Sequence, residues 1–163
     1  NLKITIDMKG YFVKLVITGF LFGIISVCDA QVIAEDDVSF EVLKWHFNHY
    51  PNSESQGWYQ MSEVTLRASF AFEGENYHVV YTSSGTRLSE ELDMTKSVPL
   101  SVVYYLDDKY GKYKVQEFKR ITNFNDEQIY YIMDVKSKDK GEERLSFDEH
   151  LIPVDFALVS SID

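Results

Sequence analysis

An α+β fold, built as a tandem duplication of one helix packed on an antiparallel sheet, is what this 163-residue sequence predicts. Three observations predict it. Two windows, ending at Tyr50 and Tyr110, carry apolar residues at helical spacing. Each is followed by runs that alternate polar and apolar residues between turn-forming clusters, the pattern of strands with one buried face. Aromatic landmarks recur at one offset: Tyr110 stands sixty residues after Tyr50, and Phe118 sixty after Trp58, which is how a repeated unit reads in a single sequence.

The first unit opens with Asp36, Asp37 and Ser39, cap-type residues ahead of a helix over Phe40 to His49. Phe40, Leu43, Phe47 and Tyr50 form its expected apolar stripe, and Pro51-Asn52 ends it. A first strand lies within Ser55 to Ser62 and contains Trp58. Val64 to Phe72 follows, with Leu66, Ala68, Phe70 and Phe72 on one face. Glu73 to Asn76 is a hairpin turn, Tyr77 to Thr82 the return strand with Tyr77, Val79 and Tyr81 on one side, and Ser83 to Thr86 turns into a short strand at Arg87-Leu88.

The second unit starts at Ser97-Val98-Pro99, a cap-like serine with proline near the first helical turn, where its missing donor does little harm. Val103, Leu106 and Tyr110 repeat the helix stripe, and Gly111 stops it. Strands are expected over Tyr113 to Ile121, Gln128 to Lys136 and Glu143 to Phe147, with Ser137 to Glu142 as a charged turn. Asp148-Glu149-His150 then turns into Leu151-Ile152. The join, Glu90 to Lys96, is too short for a free linker, so the units are expected to pack side by side, with a shared sheet one way of doing so. The organisation expected is residues 1–30 as upstream and export segment, 31–96 as first unit and 97–163 as second.

The upstream segment predicts export. Lys9 and Lys14 form a cationic start after Met8, and Leu15 to Val27 is an uncharged run of 13 residues, shorter than the roughly 18 a membrane span needs. Cys28 and Ala30 occupy the small-residue positions of a cleavage site that leaves Gln31 first. Asn1 to Asp7 are expected to lie outside the translated protein. Cys28 also fits a lipid-attachment cysteine, but branched Val27 stands where a small residue is usual, and cleavage is the favoured reading. The protein is therefore expected to be periplasmic or secreted, with no membrane span.

Removing three lysines and two aspartates with residues 1–30 from 16 basic and 26 acidic side chains leaves 13 and 24, a net charge of −11 over 133 residues. Such a surface makes nucleic acid a poor partner. Its plain consequence is solubility and mutual repulsion favouring a monomer; a sharper one is attraction to a basic protein surface. No cysteine remains after Cys28, so disulfides, thiol catalysis and cysteine metal sites are excluded.

The sequence of landmarks resembles the PepSY-like, β-lactamase-inhibitor-protein-like (BLIP-like) family of secreted bacterial proteins. The residues that carry the resemblance are Tyr50-Pro51, Trp58, Ala68-Ser69-Phe70, Tyr77-His78-Val79-Val80-Tyr81 and Gly85, then Pro99, Tyr110, Tyr130-Tyr131 and Leu145-Ser146-Phe147-Asp148. Two departures stand out: His150 in place of the usual turn glycine, and Gly111 where the first unit has proline. The resemblance implies an exported, non-enzymatic protein of tandem helix-plus-sheet units whose sheet faces grip another protein or a peptide.

Residues of other chemistries have plainer readings. His46 and His49, three apart on a helix, are close enough to share a metal, the basis of a rival reading as a small-ligand or metal sensor. A zinc site needs three or four ligands, so solvated helix histidines are preferred, and neither metal nor cofactor is expected. His78 and His150 have no motif around them. Asp107-Asp108, Glu90-Glu91 and Glu142-Glu143 are adjacent pairs whose side chains diverge, and no nucleophile elbow or phosphate loop is present; a secreted hydrolase is the weaker rival.

If Trp58, Phe70, Tyr77 and Phe118 face the helices, alternation turns Tyr59, Arg67, Ser69, His78 and Thr82 to the opposite face. Aromatics and arginine most often anchor interfaces. Tyr59, Arg67, His78, Tyr130 and Arg144 are the expected partner-binding residues on that open face, the partner being another exported protein or peptide.

Overall fold

The computed structural model describes residues 30–154. The expected export segment up to Asp29, Cys28 included, lies outside the described residues. Among those described, no helix is long and apolar enough to cross a membrane.

Nine strands form one antiparallel sheet in sequence order: β1 (Gln31–Ile33), β2 (Glu54–Ser62), β3 (Thr65–Phe72), β4 (Glu75–Thr82), β5 (Arg87–Asp93), β6 (Tyr113–Asn123), β7 (Gln128–Ser137), β8 (Gly141–Phe147) and β9 (Pro153–Val154). Two helices, α1 (Phe40–His49) and α2 (Leu100–Lys109), interrupt the meander. The pairing Trp58↔Ala68↔Val79↔Glu90↔Thr122 carries one face from β2 to β6, and Phe118 shares that face with Thr122 by period-two alternation. Both helices pack on it. Under α1 lie Trp58, Leu66, Ala68, Phe70, Val79 and Tyr81; under α2 lie Phe118, Met133, Val135 and Phe147.

Local chemistry explains the helix starts. Ser39 caps α1, its Oγ accepting from the Val42 amide at 3.4 Å, with Glu41 in the first turn. For α2 the cap position is Pro99 rather than Ser97, without a side-chain bond. The faces differ from the expected stripes. Phe40 is 71% and Phe47 42% exposed, while α1 turns Val42 and His46 onto the sheet. The reason is tertiary: the row Val38, Val42, His46, Tyr50 meets strands able to satisfy the imidazole. In α2 the matching row is Val102, Leu106 and Tyr110, with Val103 only half-buried.

The join also differs. Residues from Glu90 to Asp93 are not a connector but the second half of β5, which pairs with β4 on one side and β6 on the other. Their charges conceal the strand, because Glu90 is a buried carboxylate compensated by two arginines.

The two halves share details of register. Each has a bulge two residues before its core aromatic, at Gln56 and Gln116, where the ladder shifts between Ser55 and Gly57 and between Val115 and Glu117. In the first half the Thr82 amide donates to the Thr86 carbonyl at 2.8 Å and Gly85 N–H to Thr82 at 2.9 Å; in the second, Asp148 donates to Ile152 at 2.9 Å and Leu151 to Asp148 at 3.0 Å. The residue in the place of Gly85 is thus Leu151, not His150. Both are left-handed, Gly85 at φ 90° and Leu151 at φ 63°. Gly85 has a second constraint, since a Cβ there would sit 3.1 Å from the Glu41 backbone.

Candidate functional site

The face away from the helices is open, and register decides what it displays. One row across the sheet runs Val32↔Tyr59↔Arg67↔Val80↔Ser89, and the next runs Gly57↔Ser69↔His78↔Glu91↔Ile121↔Tyr130. Further along β6 to β8 come Lys119↔Ile132↔Ser146 and Glu117↔Asp134↔Arg144. All five residues expected on the open face lie there. Tyr59, Arg67 and His78 are neighbours on β2 to β4, whereas Tyr130 and Arg144 belong to the other half of the sheet.

These side chains lean on one another. The Arg67 guanidinium lies over the Tyr59 ring, 4.9 Å from its centroid. Tyr59 lies back over Gly57, where a Cβ would meet its hydroxyl at 3.0 Å. Ser69 Oγ and His78 Nδ1 are 2.8 Å apart, and burial holds the imidazole below its usual range, so it is neutral at pH 7. Lys119 bridges Glu117 at 2.8 Å and Glu91 at 3.5 Å. Arg144 grips Asp134 with two bonds of 2.7 Å and holds that carboxyl below its usual range. Beside this pair, Gln116, Asp134, Glu142, Glu143 and Arg144 line a shallow depression of about 280 Å³.

Two alternative chemistries fail on geometry. His46 is not a solvated helix histidine but 2% exposed. Its Nδ1 pairs with the Tyr81 hydroxyl and its Nε2 with Ser53 Oγ, both at 3.0 Å, so neither nitrogen is open to a metal. His49 is exposed, bonds the Trp45 carbonyl and stacks on the Trp45 ring. Among the described residues no group of three potential ligands gathers. Ser69 and His78 resemble a nucleophile and base, yet Glu91 is held by Lys119, and the surrounding amides are spent on ladder pairing rather than aimed at a reacting oxygen.

Sequence reasoning missed Ile121 and Ile132, apolar on this face; alternation with Phe118 along β6 places the first and with Tyr130 along β7 the second. It also missed the buried cluster on the helix side. There Glu90, 8% exposed, accepts from the Tyr50 hydroxyl, from Arg87 at 3.1 Å and from Arg120 at 3.2 Å. Arg87 is itself sandwiched between Trp45 and Phe124, with ring centroids 4.7 and 3.4 Å away. Burial, together with Glu90, drives the Tyr50 hydroxyl far above its ordinary pKa, so it serves as a donor. This cluster ties α1, β5 and the β6–β7 hairpin together.

Two helices on one side of a nine-stranded antiparallel meander, the other side open, define a BLIP-like α+β fold. Solved structures agree. The protein superposes on a BLIP-like protein from Bacteroides fragilis with TM-score 0.58 and 17% identity, covering 72% of this chain and 83% of that one. A DUF2874 family protein from Bacteroides uniformis gives 0.59 and 16%, covering 72% and 86%. A candidate periplasmic protein from Bacteroides eggerthii gives 0.60 and 16%, with the same two coverages. At these identities the likeness establishes the fold. No protein-family model matches the sequence, and no curated protein does.

Proposed function

We propose that this is an exported, non-enzymatic protein of two tandem helix-plus-sheet units that binds another exported protein or peptide through the open face of its sheet. The observation that carries this reading is the asymmetry of the sheet. Both helices cover one face, and the other presents Tyr59, Arg67, His78, Ile121, Tyr130 and Ile132 as half-buried side chains on the side away from both helices. Antiparallel sheets commonly leave one face wet; here aromatics and arginine, residue types enriched at interfaces, stand with isoleucines beside the ion-paired Glu91, Lys119, Glu117, Asp134 and Arg144. The candidate periplasmic description of the Bacteroides eggerthii structure supports export, as does the apolar run from Leu15 to Val27.

The test is capture of a partner from periplasmic extract by the purified protein and by its Tyr59→Ala and Tyr130→Ala variants. A band retained by the parent and lost from both variants, each with unchanged Tm, supports the open face. A band retained by all three places binding elsewhere.

A further inference from the structure

The four arginines among the described residues are treated unequally. Arg87 and Arg120 bind Glu90, and Arg144 binds Asp134. Arg67 has no carboxylate within ion-pair distance and no hydrogen bond among the described residues. Its Nε is buried without a partner; that of Arg120 is too, but the Arg120 Nη2 is engaged by Glu90. A sequence with 26 acidic and 16 basic residues has carboxylates in excess, so an unpaired guanidinium pressed against a sheet is a departure from how the same protein handles its other arginines.

Local geometry holds that group ready. Gly57 leaves room for the Tyr59 ring to lie along the sheet, and the guanidinium rests on the ring at 4.9 Å. Stacking keeps the planar fork oriented; with Nε buried, the terminal Nη1/Nη2 edge is the one that a two-oxygen acceptor can reach. The groups facing it are Tyr59 from β2, Ser69 from β3, and His78 and Val80 from β4, none of them an anion. We propose that Arg67, stacked on Tyr59, is the anchor for a carboxylate presented by the bound partner, either an Asp or Glu side chain or a free C-terminus. A monoanion fits better than a phosphate dianion, because among the described residues no second free cation stands beside Arg67. His78 is neutral, and Lys119 is occupied by Glu91 and Glu117.

The proposal rests on the open-face reading, but its test runs first on the free protein. Guanidinium resonances of the arginine-labelled protein are followed by NMR while three probes are added: acetyl-Ala-Glu-Ala-amide, acetyl-trialanine with a free C-terminus, and acetyl-trialanine amide. The expected result is a saturable shift of the Arg67 signal with one or both carboxylate probes and none with the amide, while Arg144, already gripped by Asp134, stays still. Which of the two acids acts tells a Glu-type carboxylate from a terminal one. Arg67→Gln abolishes the saturable response, Arg67→Lys weakens it because the fork is lost, and Tyr59→Ala weakens it roughly threefold through loss of the stacking. An unsaturable response, or one shared equally by Arg144, overturns the proposal. Partner capture separates the two readings. If Arg67→Gln captures normally while Tyr130→Ala does not, the carboxylate anchor falls and the open face stands. If both capture normally, the open face falls as the binding surface, and the anchor with it.

Discussion

The two halves of the sheet build equivalent positions from different chemistry. Where α1 sets His46 against Tyr81, α2 sets Leu106 near Phe147. His46 and Leu106 are sixty residues apart, and Tyr81 and Phe147 occupy matching places, paired with Leu66 and Tyr131 on the adjacent strand. The first core buries an imidazole and a phenol that satisfy each other, with Ser53 closing the second ring nitrogen. At the matching positions the second buries apolar groups. Matching register positions thus carry a hydrogen-bonded pair in one half and an apolar pair in the other, and a half-satisfied buried pair would be worse than either.

The strongest way to probe this comparison is to empty each core. Trp58→Ala and Phe118→Ala are each expected to cost roughly 3–5 kcal/mol, measured by urea unfolding. Both rings are buried, and the equality of the two losses is the point. If one proved nearly silent, the halves would not be equivalent in weight.

Acid should separate them next. Burial holds His46 at about 4 against an ordinary 6.5, so the unfolded state takes up a proton before the folded one does. The stability associated with neutral His46 is complete above about pH 6.5 and is lost as pH falls through about 4, by about 3 kcal/mol in all. Replacing His46 and Tyr81 together with Leu and Phe should remove that component of the pH profile. An unchanged acid limb in the double variant would show that other groups set it.

At neutral pH the same pair gives a double-mutant cycle. His46→Leu alone strands the Tyr81 hydroxyl and is expected to cost about 1–3 kcal/mol, whereas His46→Leu with Tyr81→Phe should recover most of it, the first core having been converted to the pattern of the second. Strict additivity of the two single changes would mean the hydroxyl finds another partner.

The smallest effect concerns the turns. Leu151 adopts the left-handed conformation that Gly85 supplies in the first half. Leu151→Gly should relieve about 1 kcal/mol of strain, less whatever the half-buried leucine adds to the second core. Thermal denaturation should show a Tm unchanged or slightly raised. The reverse experiment, Gly85→Ala, should lower it, since a Cβ there presses on the Glu41 backbone at 3.1 Å.

Much of this was readable in advance, and the parts that were share a cause. The α1 limits, Phe40 to His49, follow from a serine cap at one end and Tyr50-Pro51 at the other. The face shared by Leu66, Ala68 and Phe70 follows from strict alternation, and so does the placement of Tyr59, Arg67, His78, Tyr130 and Arg144 on the opposite face. What misled was hydrophobicity taken alone. Phe40 and Phe47 read as core because they are apolar, and His46 as solvated because it is polar. Glu90 to Asp93 read as a join because three of its four residues are acidic.

Alternation, turns and the sixty-residue recurrence of landmarks are written into the sequence itself, because each depends only on residues near one another or on their periodicity. The folded arrangement settles the rest: which row of α1 meets the sheet, that β5 joins the two halves, and that Glu90 and His46 are buried while Arg67 has no counter-ion among the described residues. Those outcomes depend on partners 30 to 40 residues away, Tyr81 for His46, Arg120 for Glu90 and Tyr50 again for Glu90. A buried polar group is tolerated only where the fold brings it a partner, and no local pattern records that meeting.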